Sequence, residues 1–398
     1  MVRKIGIFYD IPICFSGILL YKGIKKQAIG YCKGIYQRSF LQGYENREKF
    51  KMMEINDELK ECIWTYERSA KIVKYPVISV IIPCYNSENR LPECIDSIFM
   101  QDYPRDKIEI IIVDDDSTDK TVELAKKYNC KVVKNGTHNI ERGKSIGVEH
   151  STGEYIFLID DDNRLPHSHW LRTLVETVIR EKCVGGQASY FDYQKNDTLA
   201  NRYAALYAVN DPTCIYLHKR DKLMQIEKKW TLPGEIIKKT KLYWKIKFNP
   251  DNLLTIGSQG FLIKKELLMK TSWSPYLYHM DVNMELVRQG YNTYIMLRDT
   301  VIHKHSDSVE HFVGKLKRNI RLFYSENEYR TYTYNISFGQ MIRLGLTMGI
   351  PIVPLLESIR GYCIQPDIAW FLHPVICFRV AIIYAYSTIK NKLKLGDK

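Results

Sequence analysis

The sequence predicts an α/β domain on a mostly parallel sheet, and three observations lead there. β-branched runs recur at short spacing from Val77 onward, segments of helical composition separate them, and two of the runs end in a cluster of aspartates. Strand–helix alternation at this spacing gives a sheet covered by helices. In such sheets ligands bind beyond the carboxyl ends of the strands. The chain has 398 residues, 45% apolar and 26% charged, which supports a real core and excludes a disordered chain.

The elements follow in order. Near the N-terminus the apolar run from Ile11 to Tyr21 is flanked by Arg3 and Lys4 before it and by Lys22, Lys25 and Lys26 after it. It is shorter than a normal bilayer span and reads as an interfacial or re-entrant segment, with a span or a buried helix as the other readings. Residues 38–74 are mostly charged and read as a connecting helix. Val77 to Ile82 is a buried strand, Leu91 to Met100 a short helix, and Ile108 to Val113 a second strand running into Asp114, Asp115 and Asp116. Thr118 to Tyr128 is helical, Cys130 to Val133 a strand, and Arg142 to His150 a helix. Tyr155 to Ile159 is a fourth strand ending in Asp160, Asp161 and Asp162, and helix resumes from His169 to Arg180.

Beyond this the pattern changes. Residues 219–247 carry ten basic residues against three acidic, interleaved with Trp230, Tyr243 and Trp244. They read as a solvated face or as a surface for anionic lipid headgroups, where Lys and Arg meet phosphate. Leu344 to Leu356 is uncharged and contains Pro351 and Pro354. Ile368 to Ile389 is long enough to span a bilayer, although His373 and Arg379 lie within it, and Lys390, Lys392 and Lys394 follow. A hairpin of these two segments would leave both the globular part and the basic tail in the cytosol. The expected division is therefore 1–74 as a membrane-associated or interfacial segment and connector, 75–330 as the catalytic-type domain (halves 75–185 and 186–330), and 331–398 as a membrane-associated hairpin and tail.

Net charge is +13, which suits an anionic partner: nucleic acid, a membrane surface or a phosphorylated substrate. Of these, nucleic acid is not expected. The ten cysteines form no Cys-x-x-Cys pair, which argues against a zinc ribbon and for a reducing compartment.

Several residues suit particular chemistry. Asp160 and Asp162, one residue apart at a strand end, suit a single divalent ion, and oxygen ligands suit Mg²⁺ or Mn²⁺. A solvated loop or helix cap is the plain alternative. Asp114 or Asp115 suits an N–H of a nucleotide base, while Ser117 and Asp119 suit helix caps. Arg142 and Lys144 suit phosphate oxygens, with Gly143 and Gly147 permitting a close approach. Asp281, ahead of a helical run, suits either a cap or a general base. His303, and with less support His305, suit a metal ligand after a strand. Lys315, Lys317, Arg318 and Arg321 on a helix suit a diphosphate or lipid phosphate.

The stretch VISVIIPCYNSENRLPECIDSIFMQDYPRDKIEIIIVDDDSTDKT resembles the opening of the family 2 glycosyltransferases, whose fold is termed GT-A, and GEYIFLIDDDN is similar to their Asp-x-Asp metal motif. The resemblance is clear over about residues 76 to 180 and weaker to about 325. It implies an α/β domain that binds a nucleotide diphosphate sugar and Mg²⁺ or Mn²⁺. It implies Pro83, Tyr85, Asn86 and Glu88 around the nucleotide and Asp115 at its base. It implies Asp160 and Asp162 as the ends of the metal motif, with Asp161 among the donor-binding residues. Glu141-Arg142-Gly143 stands where members have Ala-Arg-Asn, and Asp116 where many have Gly. Gly257-Ser258-Gln259-Gly260 is similar to the acceptor-side glycine segment, and His279-Met280-Asp281 stands near the usual Glu-Asp pair, with Glu285 the other acid. His303 resembles a late metal-contacting His, and Lys315 to Arg318 a late basic motif that lacks its Trp.

The resemblance implies inversion, and together with the apolar segments and their flanking charges the expectation is an inverting transferase at the cytosolic membrane face, acting on a lipid-linked acceptor such as a polyprenyl phosphate or diphosphate. Asp281 would be the base, and Arg142, Lys144 and Arg318 would stabilise the diphosphate. A processive polysaccharide synthase and a noncatalytic membrane scaffold are the competing expectations; product length and nucleoside diphosphate release separate them.

Overall fold

The computed structural model describes residues 75–325, 330 and 336–392, and the expectations for 1–74 and for the tail beyond 392 lie outside the described residues. β1 (Ile78–Cys84) is buried along its whole length and pairs in parallel with β2 (Ile108–Asp114) and β4 (Tyr155–Leu158), while β3 (Lys131–Lys134) adds in parallel to β2. Burial on both faces explains why β1 and β2 read as unbroken apolar runs.

Successive side chains of a strand point to opposite faces, and two core layers result. Ile78, Val80 and Ile82 pack with α1 (Leu91–Phe99) and α4 (Trp170–Arg180), which contribute Leu91, Ile95, Ile98, Leu171, Leu174 and Val178. Ile81, Ile111, Ile156 and Leu158 face the other way, toward Ile146 and Val148 of α3 (Ile140–Glu149). Between α1 and α3 in the chain, α2 (Thr121–Lys127) adds Ala125 to the first layer. α3 starts at Ile140, two residues before the expected Arg142, because the Asn139 side chain caps it, accepting from the N–H groups of Glu141 and Arg142 at 2.9 and 3.0 Å.

The second half completes a ten-stranded sheet among the described residues. β5 (Asn163–Arg164), β6 (Gly185–Phe191), β7 (Glu235–Lys239), β8 (Tyr243–Lys247), β9 (Phe261–Lys264) and β10 (Thr293–His303) follow in the chain. The spatial order is β3-β2-β1-β4-β9-β6-β10-β8-β7, with β5 on β10. The α/β expectation holds, but the sheet is mixed. β9 lies antiparallel between β4 and β6, and β7 and β8 form an antiparallel edge, so parallel pairing is confined to the first four strands and β6–β10. α5 (Leu199–Tyr207), α6 (Thr213–Tyr216), α7 (Lys265–Leu268) and α8 (His279–Arg288) fill the intervals.

Two expectations need correction. Trp230, Tyr243 and Trp244 are buried and do not form an interfacial stripe. The Trp230 ring lies 5.8 Å from that of Trp244, tilted by 49°, and both belong to the core beneath β8. Only β7 is exposed throughout. The uncharged run 344–356 is not one segment either. α10 (Phe338–Gly349) and α11 (Ile352–Ile364) meet at Pro351 with a bend of 60°. Pro351 lacks an N–H and cannot continue a helix hydrogen-bond ladder. α12 (Leu372–Lys392) is long and apolar enough to cross a membrane. It packs with α9 (Val309–Ser325) and α5 in a third cluster that includes Tyr203, Tyr207, Phe312, Leu316, Trp370 and Ile376.

Gly147 gives a direct test of how closely α3 lies on the sheet. A Cβ there would collide with Ile81 and come within 3.2 Å of Val113. Gly147→Val should therefore cost about 1–3 kcal/mol of stability by overpacking, read as a lower denaturation midpoint with an unchanged slope.

Candidate active site

The acid triplet after β4 is the centre of the site. Each of its carboxylates meets a different element. Asp161 accepts from Arg90 Nη2 at 2.7 Å and Nε at 3.2 Å and from the Ser87 hydroxyl, so the β1–α1 loop holds it. Asp162 Oδ1 lies 3.4 Å from His303 Nε2, and Asp162 Oδ2 lies 3.3 Å from Lys315 Nζ. Asp160 is half-buried, with its Oδ1 atom enclosed and unpartnered, and Lys144 of α3 is its strongest electrostatic counterweight.

These surroundings separate three chemically identical groups. Burial, aided by Asp162 and Asp161 and opposed by Lys144, pushes the Asp160 carboxyl up to about 6. Burial also raises Asp161, with Asp162 adding to it and Arg90 opposing. Burial works against Asp162 as well, but His303, Lys315 and His305 prevail and hold it far below the usual carboxylate range.

Backbone pairing sets His303 there. The end of β10 runs antiparallel to β5, with His303 opposite Asn163, and Lys304 N donates to Asp162 O at 2.9 Å. Asp162, His303 and His305 each offer a ligand atom, all within 4.8 Å of one another. His303 Nδ1 and Asp160 Oδ1 are buried and unpartnered. A carboxylate and imidazole donor set with orphaned atoms beside it fits a divalent ion, Mn²⁺ better than Mg²⁺ for its nitrogen ligands. His305, which the sequence supported only weakly, is thus part of the group.

The predicted nucleotide residues lie at the ends of β1 and β2. Pro83 is within buried β1 and Tyr85 is 54% exposed beside His138 at 6.1 Å. Asn86 accepts from Thr118 N at 2.8 Å, and Glu88 from Lys120 N at 3.1 Å, so both tie the loop before α1 to the loop after β2. Asp115 accepts from His138 N at 2.9 Å. Asp116 has φ 60°, so it supplies the left-handed turn without Gly, and its carboxylate meets Lys134 at 2.8 Å.

Other predicted residues are placed differently. Arg142 points to Glu149 at 2.9 Å and Pro275 O at 3.2 Å. Lys144 is buried against Glu141 at 3.2 Å. Gly143 and Gly147 serve helix-on-strand packing, facing Pro83, Val113 and Ile81. Arg318 is exposed on α9, whereas Lys315, one turn earlier, reaches Asp162. Asp281 is buried in the first turn of α8, 3.1 Å from Arg330. Glu285 accepts from Ser272 N at 2.7 Å and so anchors a loop. Sequence reasoning missed Arg90 and Arg330, which sit in no motif; the acids they pair with were the only signal. A cleft of about 430 Å³ beside the centre is lined in part by Asn86, Arg90, Lys304, His305 and His311.

The geometry separates two neighbouring aspartates by role. Asp161→Ala leaves Arg90 and Ser87 without their acceptor and should cost about 1–3 kcal/mol in chemical denaturation. Its effect on Mn²⁺ affinity, by titration calorimetry, should be smaller than that of Asp162→Ala.

Comparison with known proteins bears on the same residues. The glycosyltransferase AglE of Haloferax volcanii is 31% identical over 136 residues, covering 32% of this chain and 44% of AglE. A dolichyl N-acetyl-α-D-glucosaminyl phosphate 3-β-D-2,3-diacetamido-2,3-dideoxy-β-D-glucuronosyltransferase of Methanococcus voltae is 36% identical over 114 residues, covering 26% of this chain and 35% of that one. The chain thus spans less than half the length of these curated relatives. Among solved structures, the mannosyltransferase PcManGT of Pyrobaculum calidifontis, in complex with GDP-Man and Mn²⁺, aligns over 85% of this chain and 95% of its own, at 15% identity and a TM-score of 0.48. The model of glycosyl transferase family 2 matches residues 79–249, which carry β1 to β8 and both acid clusters. The similarity of this chain to glycosyl transferase family 2 therefore lies in residues 79–249.

Proposed function

We propose that the chain is a metal-dependent, inverting glycosyltransferase that moves a sugar from a nucleotide diphosphate sugar to a lipid-linked acceptor at the cytosolic face of a membrane. The observation that carries this reading is the convergence of the Asp160–Asp162 triplet with His303, His305 and Lys315 beyond the strand ends of a family 2 domain. The lipid-linked acceptor draws support from the Methanococcus relative named for a dolichyl phosphate substrate and from the apolar helix α12.

In this reading Asp162, His303 and His305 would hold Mg²⁺ or Mn²⁺, with Asp160 as a further candidate ligand. When bound, such an ion neutralises charge developing on the leaving diphosphate. The protein's own part is to fix charge in place. Lys315, beside Asp162, and Lys144, whose charge acts on Asp160, supply fixed ammonium groups that need not reorganise as negative charge builds. Asp115, Tyr85 and His138 form the edge that receives the nucleotide base. Asp281 takes the proton of the acceptor hydroxyl as the hydroxyl oxygen attacks the anomeric carbon from the face opposite the departing diphosphate, which inverts that centre. Arg330 orients the carboxylate through Oδ1. Glu285 is the weaker candidate for this role because its carboxylate is engaged by the Ser272 backbone.

Nucleoside diphosphate release, screened over donor sugars with a membrane lipid extract and followed by mass analysis of the product, tests the activity. Asp162→Ala should lower transfer by about 100-fold or more and weaken Mn²⁺ binding in calorimetry; full wild-type turnover in chelator would reject an obligatory ion. Asp281→Asn should lower kcat by about 100-fold with donor affinity close to normal. If Glu285→Gln shows that loss and Asp281→Asn does not, the base is Glu285. A product extended by many sugars would favour the processive alternative.

A further inference from the structure

α12 is 21 residues long, about 31 Å at a helical rise of 1.5 Å per residue. A spanning helix needs about 20 residues within the hydrocarbon. Here the first part of the helix is fastened to the sheet domain. Ile376, Cys377 and Val380 are fully buried against α5 and α9. Tyr384 donates to Asp211 Oδ2 at 2.7 Å, and Arg379 lies 3.4 Å from Glu310 of α9. From Leu372 to Tyr384 that is about 18 Å of helix held beside charged groups of the domain. Those groups could not enter hydrocarbon without a large desolvation cost.

The turn before α12 is fastened too. Asp367 lies 3.4 Å from Arg202 of α5 and accepts from the Tyr193 hydroxyl. In a spanning hairpin made of α11 and α12 this turn would lie across the bilayer from the domain. Instead it sits on the domain surface. The opposite face of α12 is apolar and open: Val375, Phe378, Ile382 and Tyr386 are 49–64% exposed at spacings of three and four residues. On the bent pair, Ile342, Leu346, Ile352, Leu356, Ile359 and Ile364 are also exposed, and exposed Arg343 and Arg360 lie on the same two helices. Apolar faces carrying cationic side chains match an anionic lipid surface in both hydrophobicity and charge.

We propose that α10, α11 and α12 enter one leaflet of an anionic membrane, lying in its plane, and do not cross it. The proposal rests on the membrane reading above and replaces a spanning anchor with an in-plane one.

The test uses the full chain in liposomes containing phosphatidylglycerol, with an environment-sensitive fluorophore at Leu356→Cys or Ile382→Cys and at Lys239→Cys on the exposed edge strand as control. Cys363→Ser removes the exposed native thiol among the described residues, and Cys14, Cys32 and Cys62 are replaced by Ser as well. Emission at positions 356 and 382 should shift to the blue, and lipids spin-labelled near the headgroup should quench it more than those labelled at mid-bilayer. Position 239 should not shift. Gln365→Cys should react with a membrane-impermeant maleimide without detergent, to the same extent in the presence of liposomes as in their absence. Strongest quenching at mid-bilayer, or a Gln365→Cys thiol reached only in detergent, would overturn the proposal in favour of a span. Unshifted emission at 356 and 382 would overturn it as well, and a concentration-dependent dimer in that case would assign the face to a second copy. Donor hydrolysis in the same samples reports on the catalytic reading separately: its absence with the expected fluorescence sinks that reading alone, and its presence with unshifted fluorescence sinks this one alone.

Discussion

Three carboxylates on consecutive residues at the end of a buried strand are the constraint on which this structure turns. Like charges so close cannot all remain ionised in a low-dielectric setting without help. The fold supplies that help from separate places: Arg90 from the loop before α1 for Asp161, Lys144 from α3 for Asp160, and His303 with Lys315 from the far end of the domain for Asp162. Elements far apart in the sequence are thereby drawn to one point. Charge balance at that point and the closure of the sheet around it are one problem with one solution.

The family match ends at 249, yet Asp281, His303 and Lys315 lie beyond it. The parallel half presents the acids and the loop proposed to receive the nucleotide. The later, mixed half returns through β10, whose two-residue pairing with β5 sets His303 beside Asp162. A short antiparallel bridge is sufficient because it fixes register, and register decides which face a side chain takes. A slip of one residue would turn His303 away and bring Lys304 into its position.

The first half of the fold was legible because β1, β2 and β4 are buried on both faces and therefore read as unbroken apolar runs. β6 was not. Its sequence GGQASYF has no such run, since Gly185 must leave room for the Leu262 carbonyl and Gly186 for Ile295 on the adjacent strands. The 219–247 stretch misled for a related reason. β8 buries Tyr243 and Trp244 in the two core layers on opposite faces of the sheet, while β7 outside it exposes its lysines, and linear composition blends the two. In the candidate site, the acids stood out as a cluster, whereas Arg90 and Arg330 are single cations without a motif. His305 was underrated because alternation along an extended segment brings His303 and His305 to one side, and a lone histidine gives no hint of that.

α5 is nine residues long and stands between the C-terminal helices and the candidate ligands. Arg202 on it holds Asp367 at 3.4 Å. Its neighbour Asn201 accepts from Ser306 N at 2.8 Å, and the Thr198 hydroxyl at its N-cap donates to Ser306 O at 2.9 Å. The residue after His305 is therefore clamped by the same short beam that bears the apolar platform. Stiffness is shared along such a beam: whatever damps the motion of the platform also narrows the thermal wander of the imidazole next to Ser306, so rigidity gained at one end is spent on aim at the other.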